Sequence, residues 1–222
     1  MKIFSLNIWF SDYLRQERTE ILTKYLLENE YDVIFLQEVI PCVLAYIYQT
    51  IKDIYPHIHM DLDDDFYGTC IISKFELKNR EILKFKDSKM RRGLLKADIN
   101  DITFVTTHLE SEFGKYANTK VNQLNNSIEL LSINNKVILI GDTNLTPKND
   151  KDLDLKDFYD VYLKLDNSKE NKYTYDGVKN PLLNSKIRSR VDRAFSKNID
   201  VKTFDLEKEI IMSDHYGIKI TI

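Results

Sequence analysis

The chain is poor in the residues that crosslink or interrupt a backbone. Its 222 residues include two cysteines, four prolines and six glycines. Cys42 and Cys70 cannot build the disulfide framework of small secreted domains, so we expect a reducing compartment. The sequence has no repeat, no Gly/Ser-rich linker and no low-complexity tail. One domain that spans residues 1–222 is therefore the simplest organisation.

Long apolar runs are also absent. No stretch approaches the ~18 apolar residues that a membrane span needs. The opening segment, MKIFSLNIWF, lacks the charged, apolar and cleavage regions of a signal peptide. We expect a protein that is intracellular, nuclear or cytoplasmic, not secreted and not bound to membranes, and we expect it to act as a monomer.

Several enzyme classes lack support. The sequence has no G-x-S-x-G elbow of serine hydrolases and no Walker-type glycine loop, and neither cysteine has a neighbouring histidine motif. The net charge of −3 does not favour nucleic-acid binding. It does not exclude such binding, because an acidic metal site offsets basic residues elsewhere in a phosphodiesterase.

Short apolar segments rich in Val and Ile predict strands that are buried on both faces. They are KIFSLNIW, DVIFLQEV, TCIISKF, LLKADI, ITFVTTHLE, KVILIGDTN, SRVDRAF and YGIKITI. TCIISKF, EILKFK and LLKADI follow one another without a helix between them, which indicates antiparallel hairpins.

Three stretches have the apolar spacing of helices. QERTEILTKYLLENEY places on one face Ile21, Leu22, Tyr25 and Leu26. Pro41 suits a first helical turn, and the stripe that follows it is Leu44, Ile47, Ile51 and Ile54. KYANTKVNQLNNSIELL has the stripe Ala117, Val121, Leu124, Ile128 and Leu131. This mixture predicts a layered α/β or α+β fold in which helices cover sheets.

Polar side chains end the apolar segments. They are Asn7, Glu38, His108, Asp142, Asn144, Asp192, Asp214 and His215. Strand ends at one edge of a sheet are neighbours in space, so these groups can converge.

Each group also has a simpler explanation. Asn7 alone is most often a turn former, Glu38 a solvated rim charge and His108 a structural histidine. Asp192 can form an ion pair with Arg190 or Arg193. A non-catalytic binding module on the same fold is a further alternative. The joint pattern argues against these explanations, because hard oxygen ligands, amides and two imidazoles recur together.

This set of side chains suits the hydrolysis of a phosphate ester. Mg²⁺ takes oxygen ligands such as Glu38 and Asp214. Asp142 can orient water and accept its proton. Amide donors such as Asn144 and Asn7 can hold phosphoryl oxygens, and imidazoles can stabilise developing charge.

The ordered motifs Asn7, LQEV, THLES, GDTN, RVDR and SDHYG resemble the endonuclease/exonuclease/phosphatase superfamily over essentially the whole chain. The resemblance implies a four-layer α/β/β/α sandwich of two packed mixed sheets with a metal site at one end. Nucleases of this superfamily more often read GDFN. GDTN with HLES, and Met90-Arg91 before Leu94-Leu95, is similar to the branch that acts in DNA repair. That branch cleaves 5′-phosphotyrosyl bonds between DNA ends and trapped topoisomerase II-type proteins and leaves a 5′-phosphate.

The resemblance also implies a role for each motif residue. Asn7 and Asp142 would position and activate water, and Glu38 would hold Mg²⁺, for which Mn²⁺ would be a substitute. The groups around the phosphate would be Asn144, His108, Ser111 and His215. Asp192 and Asp214 would order the metal shell and the histidines. Alternatives on the same scaffold are an apurinic or general DNA nuclease and a phosphoinositide or sphingolipid phosphodiesterase.

Two positions depart from the pattern of that branch. SLN replaces TWN at the first motif, and Thr146 occupies the position after GDTN-Leu at which an arginine faces the tyrosine ring. Arg91, Arg92 or Arg188 can take over that contact. The basic runs around these arginines can equally be solvated faces. Tyr175, with Tyr173 beside it, can stack on a base or simply pack in the fold.

Overall fold

Two six-stranded sheets form the centre of the computed structural model, which describes residues 1–62, 67–111, 118–165, 168 and 170–222. The order in the first sheet is β13 (Thr203–Glu207), β14 (Gly217–Thr221), β1 (Lys2–Asn7), β2 (Val33–Val39), β4 (Gly68–Ser73) and β3 (His57–Asp61). The order in the second is β5 (Lys78–Lys84), β6 (Gly93–Ile99), β7 (Ile102–His108), β8 (Val137–Asp142), β12 (Asp192–Lys197) and β9 (Tyr159–Asp160). A short pair consists of β10 (Tyr175–Asp176) and β11 (Arg188–Ser189).

Helices make the crossovers between the parallel strands of each sheet. In the first sheet α1 (Arg15–Asn29) connects β1 to β2, and in the second α3 (Thr119–Leu131) lies between β7 and β8. The other helices are α2 (Pro41–Ile51), α4 (Val161–Leu165) and a 3₁₀ helix at Pro147–Asp152. None of the helices in the described ranges is long and apolar enough to cross a membrane.

Three apolar clusters show how the layers pack. Ile3, Phe35 and Phe104 belong to the cluster between the two sheets. A second cluster joins α1 and α2 to the first sheet, and a third joins α3 to the second sheet. Successive residues of one strand enter different clusters, since Phe35 faces the other sheet and Leu36 faces the helices. Both faces are covered, which explains the continuous apolar segments and confirms the predicted four-layer sandwich.

The structure corrects two details of the predicted helix faces. Ile21 is 40% exposed, whereas Leu22 and Leu26 of the same helix are buried. The helix α2 ends at Ile51, so Ile54 lies beyond it and is 36% exposed. Ala117, at the start of the third predicted helix, lies outside the described residues. The sequence interpretation missed β3 and β13, because HIHMD and TFDLE are short and alternate polar and apolar residues, whereas the predicted strands were found as continuous apolar runs.

Strand direction brings the polar strand ends to one edge. The carboxyl ends of the parallel pairs β1–β2 and β7–β8 carry Asn7, Glu38, His108 and Asp142. Strands β12 and β14 run antiparallel to these neighbours, so their amino ends lie at the same edge. The register places His108 beside Asp142, and Asp142 beside Asp192. The topology therefore assembles the site.

Gly141 leaves no room for a side chain immediately before Asp142. A Cβ atom at this position would lie 2.2 Å from the carbonyl oxygen of Thr107 on the adjacent strand, and the φ angle is +156°. The strand pairing of β7 with β8 therefore requires glycine here.

We predict that Gly141→Ala lowers the free energy of unfolding by roughly 1–3 kcal/mol, the usual cost of overpacking. The measurement is urea denaturation, with the midpoint expected to fall at an unchanged slope. Ile133→Ala, at a side chain that is 87% exposed, is the control and should leave the midpoint unchanged. A Gly141→Ala protein as stable as the wild type would contradict the close approach of the two strands.

Candidate active site

An asparagine connects carboxylates from the two sheets. The Asn7 amide nitrogen donates to Glu38 Oε1 at 3.0 Å and to Asp142 Oδ2 at 2.9 Å. Its Oδ1 accepts the backbone N–H of Trp9 at 2.9 Å. Both N–H bonds of the amide are thus engaged, so Asn7 orients the two acids instead of offering a free donor to a phosphate.

Glu38 lies at a bulge in β2. The pairing of β2 with β4 shifts between Gln37 and Val39, and Glu38 has a φ of 58°. This left-handed conformation is uncommon outside glycine and turns the side chain toward the site. The backbone N–H of Phe10 donates to Glu38 Oε2 at 3.0 Å. Burial raises the pKa of Glu38, and the hydrogen bonds from Phe10 and Asn7 partly offset this effect.

His108 is held in its neutral form. Its Nδ1 lies 2.8 Å from Arg92 Nη1, and the guanidinium can only donate, so Nδ1 is the acceptor. The proton then resides on Nε2, which lies 3.5 Å from Asp142 Oδ2 and 3.9 Å from Glu38 Oε1. Burial and the charge of Arg92 lower the pKa of His108 to about 3. His108 therefore presents an N–H donor to the site.

His215 is held in the opposite charge state. Its Nδ1 lies 2.8 Å from Asp192 Oδ2. Burial opposes protonation, but the carboxylates of Asp192, Asp142 and Asp214 raise the pKa of His215 well above its ordinary value. Arg190 pairs with Asp160 and Arg193 with Asp150, whereas Asp192 pairs with His215, so the ion pair of Asp192 with a neighbouring arginine is wrong.

The remaining acids are also buried. Burial raises the pKa of Asp192 and of Asp214. Burial alone would raise the pKa of Asp142 as well, but the His215 imidazolium and the hydrogen bonds from Asn7 and from the backbone N–H of Asn144 lower it instead. Asp142 is the acid that this environment keeps ionised.

The donor set fits a hard divalent cation. Two groups of side chains have ligand atoms within 4.8 Å of one another: one is Glu38, His108 and Asp142, and the other is Asp142, Asp192 and His215. The carboxylates of Glu38 and Asp142 are hard oxygen ligands for such a cation, whereas the Nε2–H of His108 and the His215 imidazolium have no free lone pair and cannot ligate it. A bound cation would offset the cost of burying the Glu38 charge, which raises the pKa of Glu38. Asp214 belongs to neither group. Its Oδ1 lies 3.1 Å from the Ser213 hydroxyl, so its role as a metal ligand stays a prediction.

Asn144 and Tyr175 contact residues of this centre, and Ser111 contacts Met90. The backbone N–H of Asn144 donates to Asp142 Oδ1 at 2.9 Å, and its side-chain amide donates to the Leu109 carbonyl at 3.0 Å. The Ser111 hydroxyl lies 3.2 Å from the Met90 sulfur. The ring of Tyr175 meets the His215 ring edge-on at 5.4 Å. Asn144 thus fixes Asp142, and Tyr175 covers His215.

The predicted arginine contacts differ from one another. Arg92 enters the site and binds His108, while Arg91 is exposed and lines a cleft beside Arg92. Arg188 binds both oxygens of Asp176, at 2.9 and 2.7 Å, and its guanidinium lies 4.3 Å from the centre of the Tyr173 ring. Its charge is therefore already balanced within the protein.

The sequence interpretation missed four residues around the site. Tyr67 accepts a hydrogen bond from Arg92 at 3.0 Å and stacks on His108. The fully buried Glu110 accepts the backbone N–H groups of Lys89 and Met90 and so holds the segment that carries Arg92. Buried Lys120 interacts electrostatically with Asp142. Arg18 holds the loop after Asn7. The only sequence signal for Glu110 was its place inside THLES.

Comparison with known proteins identifies the family of this chain. The model of the endonuclease/exonuclease/phosphatase family matches residues 4–215. The chain belongs to this family. Tyrosyl-DNA phosphodiesterase 2 of Homo sapiens is 31% identical over 87% of this chain, and that of Bos taurus is 29% identical over 99%. The chain spans 57% of the length of the human relative and 68% of the bovine one.

The solved structures agree with this family assignment. The D. rerio TDP2 structure complexed with single-strand DNA product superposes with a TM-score of 0.89 and 26% identity, covering 100% of this chain and 99% of that one. This chain and the zebrafish protein therefore share the fold of two packed mixed sheets with outer helices.

We predict opposite charge states for the two imidazoles at neutral pH. In protein kept metal-free with EDTA, ¹⁵N NMR of labelled histidine should show His108 neutral with its proton on Nε2, from about pH 8 to about pH 5, because its pKa is about 3. His215 should carry protons on both nitrogens at neutral pH. Asp192→Asn should lower the pKa of His215, whereas Asp101→Asn, at a side chain 70% exposed, should not. A doubly protonated His108 at neutral pH would refute the assignment.

Proposed function

We propose that this chain is a Mg²⁺-dependent phosphodiesterase that hydrolyses the 5′-phosphotyrosyl bond between a DNA end and a trapped topoisomerase II-type protein. The observation that carries the proposal is the Asn7 amide that holds Glu38 and Asp142 together beside the two imidazoles. The names of the relatives, and the single-strand DNA product held by the zebrafish structure, support the choice of substrate.

Glu38 is the main ligand for the cation, and Asp142 and His108 lie beside it. A bound Mg²⁺ would neutralise charge on the phosphate, and Mn²⁺ could replace it. Asp214 and Asp192 would order this shell from behind. Burial disfavours the charged forms of Glu38, Asp192 and Asp214, and a divalent ion at this edge would offset that cost.

Asp142 orients the attacking water and takes its proton. Asn7 and the backbone N–H of Asn144 hold its two oxygens separately, at 2.9 Å each, so the carboxylate cannot rotate. The water oxygen forms a bond to phosphorus, and the bond from phosphorus to the tyrosine oxygen breaks. The tyrosine leaves and the DNA keeps a 5′-phosphate.

The two histidines stabilise charge on the phosphoryl oxygens in different ways. Nε2–H of the neutral His108 donates a hydrogen bond, and the His215 imidazolium adds a positive charge. Ser111, at the rim, is a further donor. Asp192 keeps His215 protonated, and Arg92 keeps His108 neutral.

The tyrosine side of the substrate has a different environment from that in the related branch. Thr146 caps the 3₁₀ helix at Pro147–Asp152, and its hydroxyl and backbone N–H both bind Asn149 Oδ1. We assign the substrate contacts on this side to Arg92 and Arg91, in the cleft that they share with Tyr67, and to Tyr175. Arg188 can contribute only by leaving Asp176.

The biological setting follows from the same proposal. Residues 1–222 act as one catalytic domain and a monomer in DNA repair, in the nucleus or the cytoplasm. The partners are DNA with a 5′-tyrosyl or peptide adduct and the topoisomerase remnant attached to it.

We predict that the protein releases tyrosine from a 5′-phosphotyrosyl oligonucleotide with Mg²⁺ and that EDTA abolishes the reaction. The comparison uses abasic DNA, an unmodified duplex, a phosphoinositide and a sphingolipid, at matched salt because phosphate contacts are salt-sensitive. Cleavage of abasic or unmodified DNA without the tyrosyl substrate would favour a nuclease. Turnover of a lipid alone would favour the lipid phosphodiesterase, and no turnover of any substrate would favour a binding module.

We predict that Asp142→Asn lowers kcat by roughly 10²-fold or more, the scale of losing general-base catalysis. Substrate binding should hold or improve, because a negative charge near the phosphate is removed. Steady-state kinetics on the tyrosyl oligonucleotide, with Asp101→Asn as the control, separates the two effects. An unchanged kcat with a raised KM would make Asp142 a binding residue and not the base.

A further inference from the structure

We infer that Arg18 is a positioning residue that sets the orientation of Glu38 and Asn7 through the loop of residues 8–14. This inference extends the function proposed above and rests on its assignment of Glu38 to the cation. Arg18 lies on α1, whereas Asn7 and Glu38 end strands of the first sheet, and the 8–14 loop connects β1 to α1.

The guanidinium of Arg18 binds the carbonyl groups of this loop. Nη1 donates to Ile8 at 2.6 Å and to Trp9 at 3.2 Å, Nη2 donates to Ser11 at 2.7 Å, and Nε donates to Tyr13 at 3.0 Å. The guanidinium also stacks over the Trp9 ring, 4.7 Å from its centre. A planar fork of donors can reach these acceptors together, and a lysine ammonium cannot.

The N–H groups of the same loop bind the two active-site side chains. Trp9 donates to Asn7 Oδ1 at 2.9 Å, and Phe10 donates to Glu38 Oε2 at 3.0 Å. Because Trp9 has a φ of 61°, the loop adopts a conformation that needs outside support. Arg18 supplies that support from the carbonyl side, so its contacts determine where these N–H groups point.

Arg18 is buried, being 4% exposed, and its hydrogen bonds within the described residues go to carbonyl groups of the loop. Burial lowers the pKa of Arg18, while the carboxylates of Asp214 and Glu38 act in the opposite direction. Its positive charge therefore lies near the acids of the site. Loss of the Arg18 charge and loss of its loop contacts have opposite expected effects on cation affinity. Removing the charge favours cation binding, whereas loosening the loop weakens it.

Two substitutions separate these effects. Arg18→Lys keeps the charge and loses the fork, whereas Arg18→Met loses both and keeps an unbranched side chain. Leu26→Ala, at a fully buried position further along α1, is the matched control for lost stability. If Arg18→Met does not fold, Arg15→Met replaces it, because Arg15 binds the loop carbonyls of Phe10 and Ser11.

The experiment measures Mg²⁺ affinity by calorimetry without substrate, together with acrylamide quenching of Trp9, the only tryptophan in the chain. Both Arg18 substitutions should weaken Mg²⁺ binding by about 10-fold to 100-fold, as is typical when a group that orients a ligand is lost. Quenching of Trp9 should increase, and Leu26→Ala should change neither quantity. With the tyrosyl substrate, saturating Mg²⁺ should restore most of the lost kcat.

Two outcomes would overturn the inference. Tighter Mg²⁺ binding in Arg18→Met, with wild-type affinity in Arg18→Lys, would assign Arg18 a charge effect alone, and wild-type affinity in both would show that Arg18 does not act on the cation site. Unchanged Trp9 quenching and unchanged amide exchange of Trp9 and Phe10 would show that Arg18 does not hold the loop. Wild-type protein that binds no Mg²⁺ contradicts the metal assignment of the proposed function, and the amide exchange then decides separately whether Arg18 acts on the loop.

Discussion

The hydrogen bonds from the Asn7 amide to Glu38 and Asp142 are the interaction on which the site depends. Asn7 and Glu38 belong to the first sheet and Asp142 to the second, so this amide joins the two halves of the sandwich at their functional edge. Two buried carboxylates that face each other repel. A neutral donor shared between them, with the His215 charge nearby, allows both to stay close and leaves the site able to accept a cation.

The groups around this amide are held by residues with strained backbone conformations and by arginines outside the reacting centre. Glu38, Asn144 and Trp9 all have positive φ angles, which cost free energy for residues other than glycine. Each of these residues forms a hydrogen bond that orients an active-site acid or amide. At Trp9, the Arg18 contacts to the loop carbonyls support this conformation.

The two imidazoles show how neighbouring groups divide a chemical task. His108 faces a guanidinium and stays neutral, while His215 faces a carboxylate and stays protonated. One therefore offers a hydrogen-bond donor and the other a full positive charge. Neither state depends on the intrinsic pKa of histidine, which lies close to neutrality. The partners Arg92 and Asp192 select the states through the electrostatics of a buried site.

The sequence by itself determined the periodicity of the strands, a layered arrangement of sheets and helices, and the order of Asn7, Glu38, His108, Asp142 and His215 at the strand ends. These features are readable because apolar spacing and residue type are local properties of the chain. Only the tertiary structure decided that Ile21 is exposed, that Arg188 binds Asp176 and that Arg18 supports the loop after Asn7. It also decided the charge states of the histidines, since Arg92 and Asp192 reach them from 16 and 23 residues away. Such contacts depend on sheet register and burial, which no local pattern encodes.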